Sequence, residues 1–424
     1  MTATHAAFRR GAALALGAVA VLCVAWTARL THVTDPWADR LIYATMRWYV
    51  DHPGEPPGGL MMVPGADTVY PSGLGIQGRV MGQVARAATP AVQQLLTMLS
   101  ENDSAWTSPS PEPLAVVILA LKALALLAMA LTLTWWMAFV AVEWGFGTAA
   151  LTLVVLANAF LLGGWAGSLY WVAPLSVLPF VAAWHVMRAV DDGRLRFGAM
   201  LGLAFLALVL KAATGYEHVS VVAASVAVPV VYYGARRGAP WRRTVARVGA
   251  LALAGIGGVL CVLVLHMQRL AAVRGSWTTA VGAFVRRSQE RTFGGAADQV
   301  PFAESIVKYA TFPMSAVSRL HLDLWMVVLA ATVVGAVLVW RGRRADAVAR
   351  RAWAAGITVL FALLSSASWV LLAWDHMLEH HYINPVSFYA PALLTLLAVP
   401  GMLRAAAENS AGAQGASTSQ GSGA

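Results

Sequence analysis

Residues Leu114 to Val140 read LAVVILALKALALLAMALTLTWWMAFV, and Lys122 is the only charged residue among them. A helix needs about 20 mostly apolar residues to cross the hydrocarbon core of a bilayer. The whole chain is 59% hydrophobic and 12% charged, which is too apolar for a soluble globular protein. The stretch therefore predicts a membrane-spanning helix in a membrane protein.

Further apolar stretches alternate with short charged clusters along the chain. Together they predict an all-α fold, a polytopic transmembrane helix bundle of about ten spans. The other expected spans run from Ala12 to Leu30, Thr148 to Gly163, Tyr170 to Met187, Phe197 to Lys211, Val219 to Tyr233, Val248 to His266, Leu324 to Trp340, Ala354 to Trp374 and Val386 to Leu403.

Two of the connections are long, residues 31–113 and 268–323, and both are expected on the extracytoplasmic side. Within the first, Trp37 to Val50 and Ile76 to Leu99 carry apolar residues at helical spacing. That spacing predicts helices lying in the membrane interface. Residues 1–404 then form a single transmembrane domain, and residues 405–424, rich in Ala, Gly and Ser, form a disordered cytoplasmic tail.

Charge distribution predicts the orientation. With a cytoplasmic N-terminus, the cytoplasmic segments hold just over half of the 30 basic residues but only a quarter of the 20 acidic ones. The positive-inside rule therefore predicts a multi-pass protein of the plasma (inner) membrane with both termini in the cytoplasm. The net charge of +10 is then explained by basic cytoplasmic segments that face anionic lipid headgroups. Nucleic acid is not an expected partner. No Walker A sequence or GxGxxG strand-to-helix turn occurs, so no nucleotide site is expected.

The hairpin between the fifth and sixth expected spans places Lys211, Glu217 and His218 within one tight turn. One interpretation is a solvated turn with an ion pair between Lys211 and Glu217. The other is a site pressed against the bilayer, with Glu217 and His218 as acid/base groups and Lys211 binding the substrate. Both interpretations remain open from sequence alone.

The densest polar cluster precedes the last span and contains Asp375, His376, His380 and His381. Metal binding, contact with a substrate or its phosphate, and a plain solvated loop are the three interpretations. A metal is not favoured, because no HExxH helix is present and an exposed turn holds ligands poorly. We expect no cofactor and assign these residues to substrate binding.

Arginines and aromatic residues are interleaved in the second long loop, where Arg286, Arg287 and Arg291 lie close together. Guanidinium groups match phosphate oxygens bidentately, so this composition suits a lipid-linked phosphosugar. An amphipathic helix that merely rests on the membrane would have the same composition.

Asp35 follows the first span and precedes Pro36. That position suits an N-cap residue of an interfacial helix, and it equally suits a catalytic carboxylate. The lone cysteines, Cys23 and Cys261, both fall in apolar spans, so no disulfide is expected.

The chain resembles the C-type (GT-C) membrane glycosyltransferases in several of these features. They are a cytoplasmic N-terminus, a first span that ends in an acidic residue, a long first outer loop with interfacial helices and a bundle of about ten helices. The resemblance implies a polyprenyl-phosphate sugar donor, a glycan, lipid or protein acceptor, and a carboxylate base early in the first outer loop. Asp35 is the position that matches this base, and Asp39 is the second choice.

Two other functions fit the same pattern. A transporter or flippase for a lipid-linked or polar solute is one, although transporters usually place polar groups near the midplane of broken helices. A polysaccharide polymerase or ligase is the other, because it shares the lipid-phosphate donor and the arginine-bearing outer loops.

Overall fold

The computed structural model describes residues 2–27, 36–52, 54–66, 68–71, 73–102, 112–293, 302–317, 319–343, 347–373 and 385–404. Nearly all of them are helical. The helices are α1 (Thr2–Thr27), α2 (Pro36–Asp51), α3 (Ile76–Asn102), α4 (Pro113–Trp144), α5 (Phe146–Ala157), α6 (Phe160–Ala166), α7 (Val172–Asp191), α8 (Gly198–Thr214), α9 (Val219–Arg236), α10 (Trp241–Arg274), α11 (Trp277–Phe293), α12 (Phe302–Ala310), α13 (Leu324–Arg341), α14 (Ala347–Leu372) and α15 (Val386–Arg404).

Among these described residues, seven helices are long and apolar enough to cross a membrane, and α5 with α6 makes up to eight. Two shorter apolar helices, Ala15–Thr27 within α1 and Gly198–Thr214, lie where further spans were predicted. Each predicted span overlaps one of these helices or, for Thr148 to Gly163, the pair α5 and α6. The chain is therefore a multi-pass α-helical membrane protein.

The third predicted span, Thr148 to Gly163, is not one straight helix, because α5 and α6 meet at an angle of 75°. The break exposes backbone carbonyls that a continuous helix would satisfy. Residues of a neighbouring segment donate to them: the Ser315 hydroxyl bonds to the Val155 carbonyl at 2.9 Å, and the Ala316 N–H bonds to the Asn158 carbonyl at 3.2 Å.

That neighbouring segment is a β-hairpin, which forms the one sheet among the described residues of a nearly all-α structure. Strands β1 (Pro313–Val317) and β2 (Leu320–Asp323) pair antiparallel in the second long loop. The loop also begins later than predicted, since α10 continues to Arg274. The hairpin was missed because its strands are short and are stabilised by the broken span.

Both helices predicted in the first long loop are present as α2 and α3, and they pack on each other. Between them, Leu60, Met62 and Leu74 pack against the ends of α8 and α10 in one apolar cluster. We call the end of the bundle that carries this layer and the second long loop the loop face. The packing at the loop face surrounds the turn between α8 and α9.

The opposite end of the bundle is held by aromatic and ionic contacts. The rings of Trp136, Trp144 and Trp184 contact one another edge to face. Beside them, Glu143 accepts from Arg188 at 3.3 Å and from Arg236 at 2.8 Å. These contacts join α4, α7 and α9 away from the loop face.

Candidate functional site

The turn between α8 and α9 buries the charged groups that it carries. Lys211, Glu217 and His218 are 1%, 7% and 1% exposed, which contradicts the interpretation of this segment as a solvated turn. Helix α8 ends here because Gly215 adopts an extended backbone, with φ of 165° and ψ of 157°. The Lys211 carbonyl accepts from the Thr214 hydroxyl and the Gly215 N–H, at 2.9 and 3.0 Å. A buried cation, carboxylate and imidazole are thus brought together at the loop face.

Glu217 folds back over the turn. A Cβ atom on Gly215 would lie 2.3 Å from Glu217 Oε2 and 3.5 Å from the Tyr170 hydroxyl, so any larger residue at this position would displace the carboxylate. Lys211 interacts with Glu217 electrostatically. Desolvating two charges is costly even when they are paired. Such a pair in a turn marks a candidate for function.

The backbone of His218 is left-handed, with φ of 60°, although the residue is not glycine. The one other described non-glycine residue with positive φ is Trp171, which follows Tyr170 at the start of α7. Conformations of this kind persist where packing over-determines them, commonly at functional sites. The His218 ring meets the ring of Trp369 edge-on, with centroids 5.5 Å apart.

Gly73 and Gln77 of the first long loop lie across this turn. The Gln77 side-chain amide donates to the Thr214 carbonyl at 2.9 Å, and Gln77 is fully buried. A Cβ atom on Gly73 would lie 3.5 Å from Gly215 Cα. The site is therefore built by two segments that are far apart in sequence.

Helix α11 packs onto the same turn through aromatic rings. The Tyr216 hydroxyl lies 3.2 Å from His266 Nδ1, and Phe284 of α11 meets both rings edge-on. Burial and, to a lesser degree, the charge of Glu217 raise the pKa of Tyr216, so its hydroxyl stays protonated at neutral pH. Sequence analysis missed His266, because a single histidine at the end of a span carries no motif.

Asp39, the second choice for a catalytic base, is buried and fully engaged. Its Oδ2 lies 3.1 Å from Lys122 Nζ and accepts from the Tyr43 hydroxyl at 3.1 Å, and its Oδ1 accepts from Ser168 at 2.8 Å. Burial, then the charge of Asp39 and its hydrogen bond, raise the pKa of Tyr43. This network joins α2, α4 and the link before α7, which favours a structural role for Asp39.

The network and the buried turn are neighbours. The Tyr170 N–H donates to the Ser168 hydroxyl at 3.2 Å, and the Tyr170 side chain reaches Gly215. The short link between α6 and α7 thus touches both clusters. Ser168 and Tyr170 carried no signal in the sequence, because small polar and aromatic residues are common at span ends.

The predicted phosphate-binding arginines lie on α11. Arg286 and Arg287 are exposed, while Phe284 of the same helix faces the turn. Arg291 belongs to the last turn of α11, and its side chain lies outside the described part. The remaining predicted site residues lie wholly outside the described residues; they are Asp35, Asp375, His376, His380 and His381.

An apolar groove of about 530 Å³ begins at Val219, the residue that follows His218. Small residues of α9 and α10, such as Ala223, Ala227 and Gly255, form its floor. Its polar lining consists of Ser220 and Ser368, whose hydroxyls bond to each other at 3.0 Å. A groove of this size beside buried polar groups can hold an alkyl or isoprenoid chain.

A metal site is not formed by the residues that the structure describes, since no three of their His, Cys, Asp or Glu side chains are grouped to hold an ion. The chemistry available in the described part is that of a buried carboxylate beside a lysine, an imidazole and a tyrosine. That set can take up a proton and hold an anion. Comparison of the chain with family models, with curated proteins and with solved structures finds no match.

Proposed function

We propose that this protein is a membrane glycosyltransferase that uses a polyprenyl-phosphate sugar donor at the loop face, with Glu217 as the general base. Glu217 takes the proton from an acceptor hydroxyl while the acceptor oxygen bonds to the anomeric carbon of the sugar. The bond from that carbon to the phosphate oxygen breaks, and the lipid phosphate leaves. The observation that carries the proposal is the buried turn of Lys211, Glu217 and His218.

The groove along α9 supports a lipid-linked donor. It runs from Ser220 into the apolar part of the bundle, and Ile256 and Leu260 on its rim are exposed. A chain lying there would leave its phosphate end near His218. The bilayer would then deliver the donor directly to the carboxylate.

The proposal also includes the predicted binding residues that lie outside the turn, with the roles expected from the sequence. Arg286, Arg287 and Arg291 would hold the leaving phosphate, and Asp375, His376, His380 and His381 would contact the substrate. Asp35 remains an alternative base. The acceptor is a glycan, lipid or protein hydroxyl, and no cofactor is required by this chemistry.

A transfer assay tests the proposal. Purified protein in nanodiscs should move radiolabelled sugar from polyprenyl-phosphate donors to acceptors, and the label should become covalently bound to the acceptor. Inactivity on a panel of such donors, combined with movement of intact donor across vesicles, would replace the enzyme with a flippase. A flippase is the second candidate because α5 and α6 form a broken span, a feature common in transporters.

The proposed orientation makes a separate prediction. Reporter enzymes fused after Asp67 and after Gly295 should be active only outside the cytoplasm, and a C-terminal fusion only inside it. The excess of arginine in the short loops at the end opposite the loop face is the reason. Cytoplasmic activity of the Asp67 fusion would place the turn on the wrong side for an extracytoplasmic donor.

A further inference from the structure

Tyr49 of α2 carries a buried hydroxyl at the loop face. The residue is 1% exposed, and its hydroxyl has no hydrogen-bond partner among the described residues. Helix α3 crosses its ring at Gly82, where a Cβ atom would lie 2.2 Å from the ring. Leaving a buried donor without an acceptor costs free energy, so the position calls for a bound group that accepts this hydrogen bond.

Charged groups from separate segments meet at Arg79, one helical turn along α3 from Gly82, where the Tyr49 ring packs. Arg79 Nη2 lies 2.6 Å from Glu55 Oε1, and Arg269 Nη1 donates to the Gly58 carbonyl at 3.1 Å. A Cβ atom on Gly59 would lie 2.4 Å from Arg269 Nη1 and 3.2 Å from Glu55 Oε2. Glu55 is therefore flanked by two guanidinium groups, and one carboxylate does not neutralise both.

The backbone of the turn at Gly58 and Gly59 packs closely against Arg269. Gly58 and Gly59 both adopt left-handed conformations, with φ of 63° and 64°. A Cβ atom on Gly58 would lie 2.7 Å from Val273, so side chains are excluded at both positions of this turn. A solvated surface arginine does not need a turn of two glycines packed against it.

A third arginine, Arg86, adds to the excess of positive charge over Glu55. Arg86 lies two turns along α3 from Arg79, on the same side of that helix. Burial and the charge of Glu55 raise the pKa of Tyr49, and Arg79, Arg269 and Arg86 oppose the rise, so all three positive charges act on this hydroxyl. Guanidinium groups and a hydroxyl donor together suit the oxygens of a phosphate.

We propose that Arg79, Arg86, Arg269 and Tyr49 form a phosphate-binding site at the loop face, for a phosphate carried by an anionic lipid headgroup or free in solution. Neither the predicted arginines of α11 nor the buried turn of Glu217 takes part in it. The inference does not depend on the sugar-transfer reaction, since it requires only binding. A failed transfer assay would leave it unchanged.

Tyr49→Phe is the decisive variant, because it removes only the hydroxyl that would donate a hydrogen bond to the phosphate. Inorganic phosphate is titrated into the full chain in detergent, and retention of phosphatidylglycerol over phosphatidylcholine is measured in nanodiscs by native mass spectrometry. Tyr49→Phe should weaken binding about 10-fold to 100-fold, as expected for a hydrogen bond to a charged group, without lowering the melting temperature of the unliganded protein. Phosphate binding in detergent identifies free phosphate, and selective lipid retention alone identifies a headgroup.

Charge variants complete the test. Arg79→Gln with Arg269→Gln should lose at least about 10-fold in affinity, whereas Arg274→Gln, an exposed arginine on the same helix as Arg269, should stay within about 2-fold of the parent. The proposal is overturned if neither ligand binds, if Tyr49→Phe binds as the parent does, or if Arg274→Gln loses as much as the double variant. The last result would indicate attraction by net charge alone.

Discussion

Glu217→Gln should lower kcat/KM for sugar transfer by roughly 100-fold or more, because glutamine keeps the shape of the side chain but cannot accept a proton. The same change leaves the buried Lys211 without its counter-charge, which by itself destabilises the protein by about 3–5 kcal/mol. Lys211→Met combined with Glu217→Gln should therefore recover much of the thermal stability. Transfer should remain abolished in the double variant, and initial rates together with melting temperatures measure the two effects separately.

Glu304→Gln is the matched control, since Glu304 is an exposed carboxylate of α12 that pairs with Lys308 at the same face. It should keep the rate of the parent. If Glu217→Gln retained most of the activity while Asp35→Asn abolished it, the base would be Asp35, because asparagine still caps a helix but cannot accept a proton. Full activity in both variants would contradict carboxylate catalysis at either position.

Lys122→Met should destabilise the protein by about 3–5 kcal/mol, because it leaves the Asp39 carboxylate buried without its cation. The side chains of Lys122 and Asp39 are 7% and 1% exposed, so water cannot replace the lost partner. Thermal unfolding in detergent, followed through the aromatic residues, should show the change as a lower melting temperature. Asp39→Asn combined with Lys122→Met should restore much of the loss.

The exposed pair of Lys308 and Glu304 provides the comparison, because Lys308→Met should change the stability by less than about 1 kcal/mol. A melting temperature unchanged by Lys122→Met would show that the network does not hold α2 to α4. If the Asp39→Asn and Lys122→Met double variant folded well but transferred no sugar, Asp39 would take part in the chemistry, in line with its place as the second choice for the base.

Hydropathy and helical spacing were enough to predict which segments are apolar enough to lie in a membrane and where the helices of the first long loop run. The run from Leu114 to Val140 and the helical spacing from Trp37 to Val50 carry this information locally, since each residue contributes through its own hydrophobicity and its neighbours on one helix face. Such patterns need no knowledge of what lies across the bundle. The grouping of Lys211, Glu217 and His218 in one turn was visible for the same reason.

Tertiary structure alone decided which polar groups are buried and which of them meet. The turn that carries Glu217 is bonded to Gln77 through the Thr214 carbonyl, and Asp39 is bonded to Lys122 and Ser168; these partners are remote in sequence. The break between α5 and α6 likewise depends on a hairpin that donates to its carbonyls. These pairings follow from the packing of whole helices and from the need to satisfy every buried polar group, and neither is encoded in the hydropathy of a single segment.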